Sequence, residues 1–377
     1  MRTSALLPLL AALLAVITAG CSSEKKLAGH LEDGARYLAA GDLPKAEIEY
    51  RNVIQLDPAS KVGFASLGSI YYDQARLSMM GAYLTRAHEL DRENLDVRLK
   101  LGFIHLAFNQ FNEARDHALY VLERRPEDPD APILLAESAR QPAEREAART
   151  RLGALPAAAR EGAPVNTALA TLAIRDEQVD AARTALDRAL ERDARYSPAH
   201  AAYAFIHRRA NNLEEAGRSL QRASEFASPR STRRMLHAQF LLQTDQADAA
   251  RQALQTMTRE TPDFISPHLL LADISARAQQ WSESEDHLKK VLALDPGHPE
   301  ALLLSARLKL AQGKSAVAVE EMDRMARAYP GLPQAHYQLG MAHYASGDLT
   351  RAAQSLRQAV TLLPGYVDAV VLLADLN

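Results

Sequence analysis

The 377-residue chain has a single cysteine, Cys21, so no internal disulfide can form and no cysteine cage for a metal is available. Tryptophan occurs once, and aromatic residues make up 6% of a chain that is 47% hydrophobic. Most of the apolar content is therefore Ala and Leu, a mixture that favours stacked helices over sheets. Neither sign of charge dominates: 44 basic against 47 acidic residues leave a net charge of −3. That balance excludes the broad basic field of a nucleic-acid binder and an acidic tail, so any electrostatic site must be local. Beyond the N-terminus no apolar run approaches the roughly 20 residues needed to cross a bilayer.

Catalytic signatures are equally scarce. No Gly-x-Ser-x-Gly, Gly-x-Gly-x-x-Gly or His-Glu-x-x-His occurs, and none of the twelve histidines pairs with another at i, i+4; His200 and His207, like His336 and His343, are two turns apart. Such histidines read as surface or core residues, not ligands. Gly313-Lys314-Ser315 resembles the end of a phosphate-binding loop, but Leu308 stands where that loop needs Gly. Ser22 and Lys25 copy the spacing of a serine-hydrolase motif with no scaffold around them. The expectation is a protein with no catalytic centre, no metal and no cofactor.

The N-terminus carries Arg2, an apolar run from Ala5 to Ala19 broken only by Pro8 and Thr18, and then Gly20 and Cys21. Residues 1–20 read as a cleaved export signal. Cys21 is either an incidental thiol beside the cleavage site or the lipid-bearing first residue of the mature chain. The second reading rests on a resemblance: Ala19, Gly20 and Cys21 match a bacterial lipobox, with Thr18 where Leu, Val or Ile is usual. In Gram-negative lipoproteins Ser22, in place of Asp, implies the outer membrane. Residues 21–26 would then be a short polar tether.

What the chain does contain is repetition. AAGDLPKAEIEYRNVIQLDP at 39–58 and ASGDLTRAAQSLRQAVTLLP at 345–364 share Gly-Asp-Leu, Ala and a closing Pro at matching offsets, and Pro58 and Pro364 are 306 positions apart, nine times 34. Stepping by 34 places ten repeats starting at 27, 61, 95, 129, 163, 197, 231, 265, 299 and 333 without a gap. Position 8 is then always Gly or Ala, from Gly34 to Gly340; position 20 is Ala in eight repeats; and position 24 is a large apolar residue in all but one, where Ala118 stands. Small residues at 8 and 20 let two helices approach closely, and the bulk at 24 fills the groove one turn on. Gly-Asp at 41–42 and 347–348 ends the first helix, and Pro at position 32 stops the second.

These columns resemble the tetratricopeptide repeat family, over residues 27–366. The resemblance implies an all-α fold, a superhelical solenoid of about ten helix-turn-helix repeats with one long concave face. Repeats 1–4 span 27–162 and repeats 5–10 span 163–366. The pattern is weakest where Pro142 falls in a turn, Pro156 falls inside a second helix and 159–164 (AREGAP) reads as loop, so a hinge is expected at 162/163. Residues 367–377 begin an eleventh unit whose second helix is missing, with Val370–Leu373 apolar on more than one face.

In that family, first-helix positions 2, 5, 9, 12 and 13 tend to face the concave surface. Here they hold Arg140, Arg175, Arg208, Arg209, Arg277 and Arg307, with Phe103, Phe205, Tyr337 and Tyr344 among them. Arg forks match carboxylates and aromatic faces stack on apolar groups or sugars, so the row is a candidate binding face for a protein or an anionic polysaccharide. A solvated outer helix face is the competing reading. The Lys/Asn clamp that holds chaperone tails in some members is absent. Lipobox, short tether and long array together resemble the repeat lipoproteins of exosortase-associated (PEP-CTERM) exopolysaccharide export, which implies an envelope-anchored scaffold facing the periplasm. An assembly lipoprotein for pili or outer-membrane proteins is the alternative.

Overall fold

The structure, a computed structural model, describes residues 6–376, with side chains from Ser23 on. The Cys21 side chain and residues 1–5 of the expected signal lie outside the described residues. Among the described residues the chain forms twenty-two α-helices and no strand, and no helix is long and apolar enough to cross a membrane. From repeat 5 onward a first helix of 12 or 13 residues alternates with a second of 13 or 14, as in Ile265–Arg277 followed by Trp281–Leu294.

The columns explain the packing. All ten residues at position 8 and all ten at position 24 are buried. A Cβ added at Gly68 would come within 2.8 Å of Leu84, and one at Gly340 within 2.8 Å of Leu356, so a small residue at position 8 makes room for the large one at 24. Repeat 3 departs from this: with Ala118 at position 24, the space over Gly102 is filled by Leu134 from the next repeat.

A second column emerges at position 15, between the helices. Gly41, Gly313 and Gly347 have φ of 73°, 73° and 83°, but Ala75, Asn109, Glu177, Asn211, Asp245 and Gln279 are held at φ between 56° and 60°. The turn needs a left-handed residue because the next N–H reaches back to close the first helix, as Gln280 N–H does on the Ser275 carbonyl at 2.8 Å. The following residue caps the second helix: Asp42 accepts from Lys45 N–H, Asn212 from Glu215 N–H and Asp348 from Arg351 N–H. A left-handed side-chain residue costs about 1–2 kcal/mol, less for Asn and Asp. Gln279→Gly is therefore expected to stabilise the protein by about 0.5–1 kcal/mol, seen as a higher urea midpoint; an unchanged or lower midpoint would count against strain at that turn.

Repeat 4 is where the sequence reading needs correction. Its first helix stops at Ser138, and Pro142 opens the second helix, Pro142–Gly153, where the missing N–H costs nothing; Glu144 accepts from the Gln141 N–H at 2.9 Å. Pro156 does not interrupt that helix but precedes a four-residue helix, Ala157–Arg160. Residues 159–164 are no open loop: Ala159 and Ala163 are buried, and one core cluster runs from Ala114 to Leu172 across the expected 162/163 boundary. The chain instead divides into two compact units, Met1–Asp73 with Met79–Ala194, and Gln74–Ser78 with Arg195–Asn377. Within the second unit the Gln74 amide donates to Asp263 at 3.1 Å and the Ser78 hydroxyl bonds Asp295. At its end, helix Val367–Asp375 buries Ala369 against Leu356 and Ala359 while Val367, Val370 and Val371 stay exposed.

Candidate functional site

The first helices of repeats 6–9 give the second unit an open groove. Its floor is apolar, from positions 5 and 6 of successive repeats: Met235 and Leu236, Leu269 and Leu270, Leu303 and Leu304. Met235 is buried, Leu236 is 43% exposed and the four leucines after it are half-buried, so the floor is only partly closed. One side is edged by position 2, with Thr232, Ser266 and Glu300; the other by position 9, with Gln239, Asp273 and Arg307. Ala75 and Leu77 border it, and its volume is about 650 Å³. A second hollow of about 1120 Å³ shares Gln239, Leu270 and Asp273 and extends to Gln243 and Arg277 at position 13. A third, about 140 Å³, adds Phe205 and Arg208. Gln239 lines all three.

Charges along this groove are largely compensated. Arg277 Nε pairs with Asp273 one turn back at 2.9 Å, and Arg251 Nη1 pairs with Glu283 at 2.9 Å. Arg208 donates to the Gln243 amide oxygen at 3.2 Å. Glu300 and Arg307 are exposed on the same helix, Pro299–Ala311, and make no ion pair among the described residues. They stand on opposite edges of the floor.

The expected arginine row is thus split. Arg208, Arg209, Arg277 and Arg307 belong to the second unit, and Arg208, Arg277 and Arg307 line its hollows together with Phe205. Arg209 is exposed, as is Tyr344. Tyr337 lines none of these three hollows: its ring packs 5.0 Å from Tyr366, and burial pushes its hydroxyl above the usual tyrosine range. In the first unit Arg140 lies over the Phe111 ring at 4.8 Å, while Phe103 packs half-buried against the core. Arg175 is half-buried and donates to the Ala139 carbonyl at 3.2 Å, closing the short first helix of repeat 4; burial, with Arg140 nearby, lowers its pKa. Phe103, Arg175 and Tyr337 each make a contact within the fold and line none of the three hollows. The position-6 leucines and Gln239 were not among the expected site residues, although a Leu recurring at position 6 of three successive repeats was a readable signal.

A tetratricopeptide repeat profile matches residues 167–231, 269–333 and 303–367. The match starts differ by 102 and 34 residues, three repeats and one, which is the register set by the prolines. Among curated proteins, cellulose synthase 1 operon protein C of Komagataeibacter xylinus is 32% identical over 126 residues, covering 33% of this chain and 10% of that protein. The chain thus spans a small part of that relative's length. Solved structures with a likeness to this chain include yeast Tom70 (13% identity, 94% of this chain and 96% of the other, TM-score 0.44) and MamA of Desulfovibrio magneticus (21% identity, 38% and 81%, TM-score 0.36).

Proposed function

We propose that this chain, which carries tetratricopeptide repeats, is a non-catalytic scaffold that is lipid-anchored in the bacterial cell envelope through Cys21, faces the periplasm, and holds protein partners of an exopolysaccharide export system in the groove of its second unit. The observation that carries the reading is the groove itself. Leu236, Leu270 and Leu304 leave apolar surface partly open between two polar edges, the usual composition of a surface that awaits another protein. A protein partner is favoured over an anionic polysaccharide because Arg277 is already neutralised by Asp273, and Arg307 and Arg208 line separate hollows. The exopolysaccharide setting draws on the likeness to a cellulose synthase operon protein and on the resemblance to PEP-CTERM-associated lipoproteins.

One experiment with two arms tests it. A photo-crosslinking amino acid at Gln239, in the groove, should capture defined envelope proteins, whereas the same group at Gln255, exposed on the second helix of repeat 7, should not. Equal capture at both positions rejects the groove. In the second arm Cys21→Ser should move the protein from the membrane to the soluble fraction, since a multiply acylated terminus anchors stably and a serine cannot carry the thioether-linked lipid. A serine variant that still sediments with membranes rejects the lipid anchor.

A further inference from the structure

The dimensions of the groove restrict what can fill it. Positions 2 and 9 of one helix are seven residues apart, about 10.5 Å at 1.5 Å per residue. The apolar band between the two polar edges is therefore about as wide as one α-helix with its side chains, about 10–12 Å. An extended segment, which occupies about 4.8 Å beside its neighbour, would leave half of that floor wet. Along the groove the spacing agrees. Packed helices lie about 8–10 Å apart, so Leu236, Leu270 and Leu304 are separated by two steps of about that size, and seven residues of a helix laid across them advance about the same distance.

Charge adds a second restriction. On helix Pro299–Ala311 the acidic Glu300 and the basic Arg307 flank Leu303 and Leu304 from opposite edges, neither in an ion pair among the described residues. Asp273 and Arg277 cancel each other on the neighbouring helix. An occupant that satisfies both edges must itself carry opposite charges on its two flanks.

We propose that the groove over repeats 7–9 receives an amphipathic helix of a protein partner, with large aliphatic residues about seven positions apart on its buried face, a basic residue over Glu300 and an acidic residue over Arg307. The inference rests on the scaffold reading and makes it specific.

The test uses the full-length protein and three fluorescein-labelled, lactam-stapled 18-residue peptides sharing heptad-spaced leucines. One carries Lys on one flank and Glu on the other, one Lys on both, and one Glu on both. A fourth peptide has the mixed composition, no staple and a central Pro. The mixed helix should bind tightest, the same-charge helices several-fold weaker, and the Pro peptide at least tenfold weaker. Leu236→Glu should weaken the mixed helix at least tenfold. Arg307→Glu makes both edges acidic and should transfer the preference to the Lys-flanked helix, a change of ranking that loss of folded protein cannot produce. Equal binding of the Pro peptide, or a ranking that Arg307→Glu leaves intact, overturns the proposal. If crosslinks at Gln239 persist while no helix is preferred, the helical occupant fails and the scaffold reading stands; absence of those crosslinks fails the scaffold reading itself.

Discussion

Leu254→Ala will destabilise the second unit by about 2–5 kcal/mol, the usual loss for a fully buried Leu whose site cannot collapse. Leu254 is 0% exposed and sits at position 24 of repeat 7, in one cluster with Met235, Ala238, Met257, Phe264, Leu271 and Ile274. That cluster joins the helices of repeat 7 to the first helix of repeat 8, so the cavity would open at a joint between repeats. In an array where each repeat is held only by its neighbours, a weakened joint also loosens the repeats on either side. The measurement is urea unfolding followed by far-UV circular dichroism, with Leu236→Ala as control. Leu236 is 43% exposed and on the groove floor, so its truncation should cost under about 1 kcal/mol. Equal losses for the two variants would refute the assignment of position 24 as the filler of the inter-helix groove.

The same column shows how far the sequence could be read. A 34-residue period and a rule about size, small at 8 and large at 24, were enough to place twenty buried residues, all ten at each of those positions. A rule of columns also makes Ala118 look like a defect that Leu would repair. It is not one, because Leu134, 0% exposed, already fills the space over Gly102. Leu134 is at position 6 of repeat 4, where the first helix is cut short, and only the fold reveals that a residue from the next repeat has moved into the vacancy. The irregular stretch around Pro142 and Pro156 was legible as irregular, but not as continuous with the core. A proline marks a helix boundary without saying which helix begins there.

The groove was half legible for a related reason. Positions 9, 12 and 13 were expected to face it, and they bring Phe205, Arg208, Arg277 and Arg307 there. Arg175 shares a column with Arg277 yet turns inward to the Ala139 carbonyl, because the shortened helix of repeat 4 leaves that carbonyl without an intrahelical donor. Leu236, Leu270 and Leu304 escaped notice because a Leu in a helical repeat reads as core. Whether it is covered depends on the curvature of neighbouring first helices, which no single column records.

Acid should unfold this protein earlier than its carboxylates alone would require. His117 is buried in the first unit, its ring stacked at 5.4 Å on His105 and edge-on at 5.5 Å to His88, and burial, with those two rings and Arg98 beside it, pushes it down to about 4. In the second unit His268 is also pushed down to about 4, by burial first and by His287 next. Its Nε2 donates to the Pro262 carbonyl at 3.1 Å, so its Nδ1 is the acceptor of the 3.0 Å bond from His287 Nδ1. Protonating it would set two N–H groups against each other. Glu283 and Asp286 lie near His287, countered by Lys290 and Arg251. A histidine whose folded pKa is depressed leaves the unfolded chain binding more protons below about 6.5, so stability present above that value falls as pH drops towards 4, by up to about 1.4 kcal/mol per pH unit for each group. Asp176 beside Arg149 and Glu285 beside Lys309 have lowered pKa values, so the stability they contribute is lost as the unfolded chain protonates through the ordinary carboxylate range, about 4–4.5, and below it. The window between pH 6.5 and 5 therefore belongs to the histidines. Urea midpoints measured at pH 7.5, 6.5, 5.5 and 5.0 should decline steadily for the native sequence. In His117→Leu with His268→Gln the decline should be shallower, whatever the midpoint at pH 7.5. A native protein whose midpoint is flat from pH 7.5 to 5.0 would mean that these imidazoles are not held neutral by the fold.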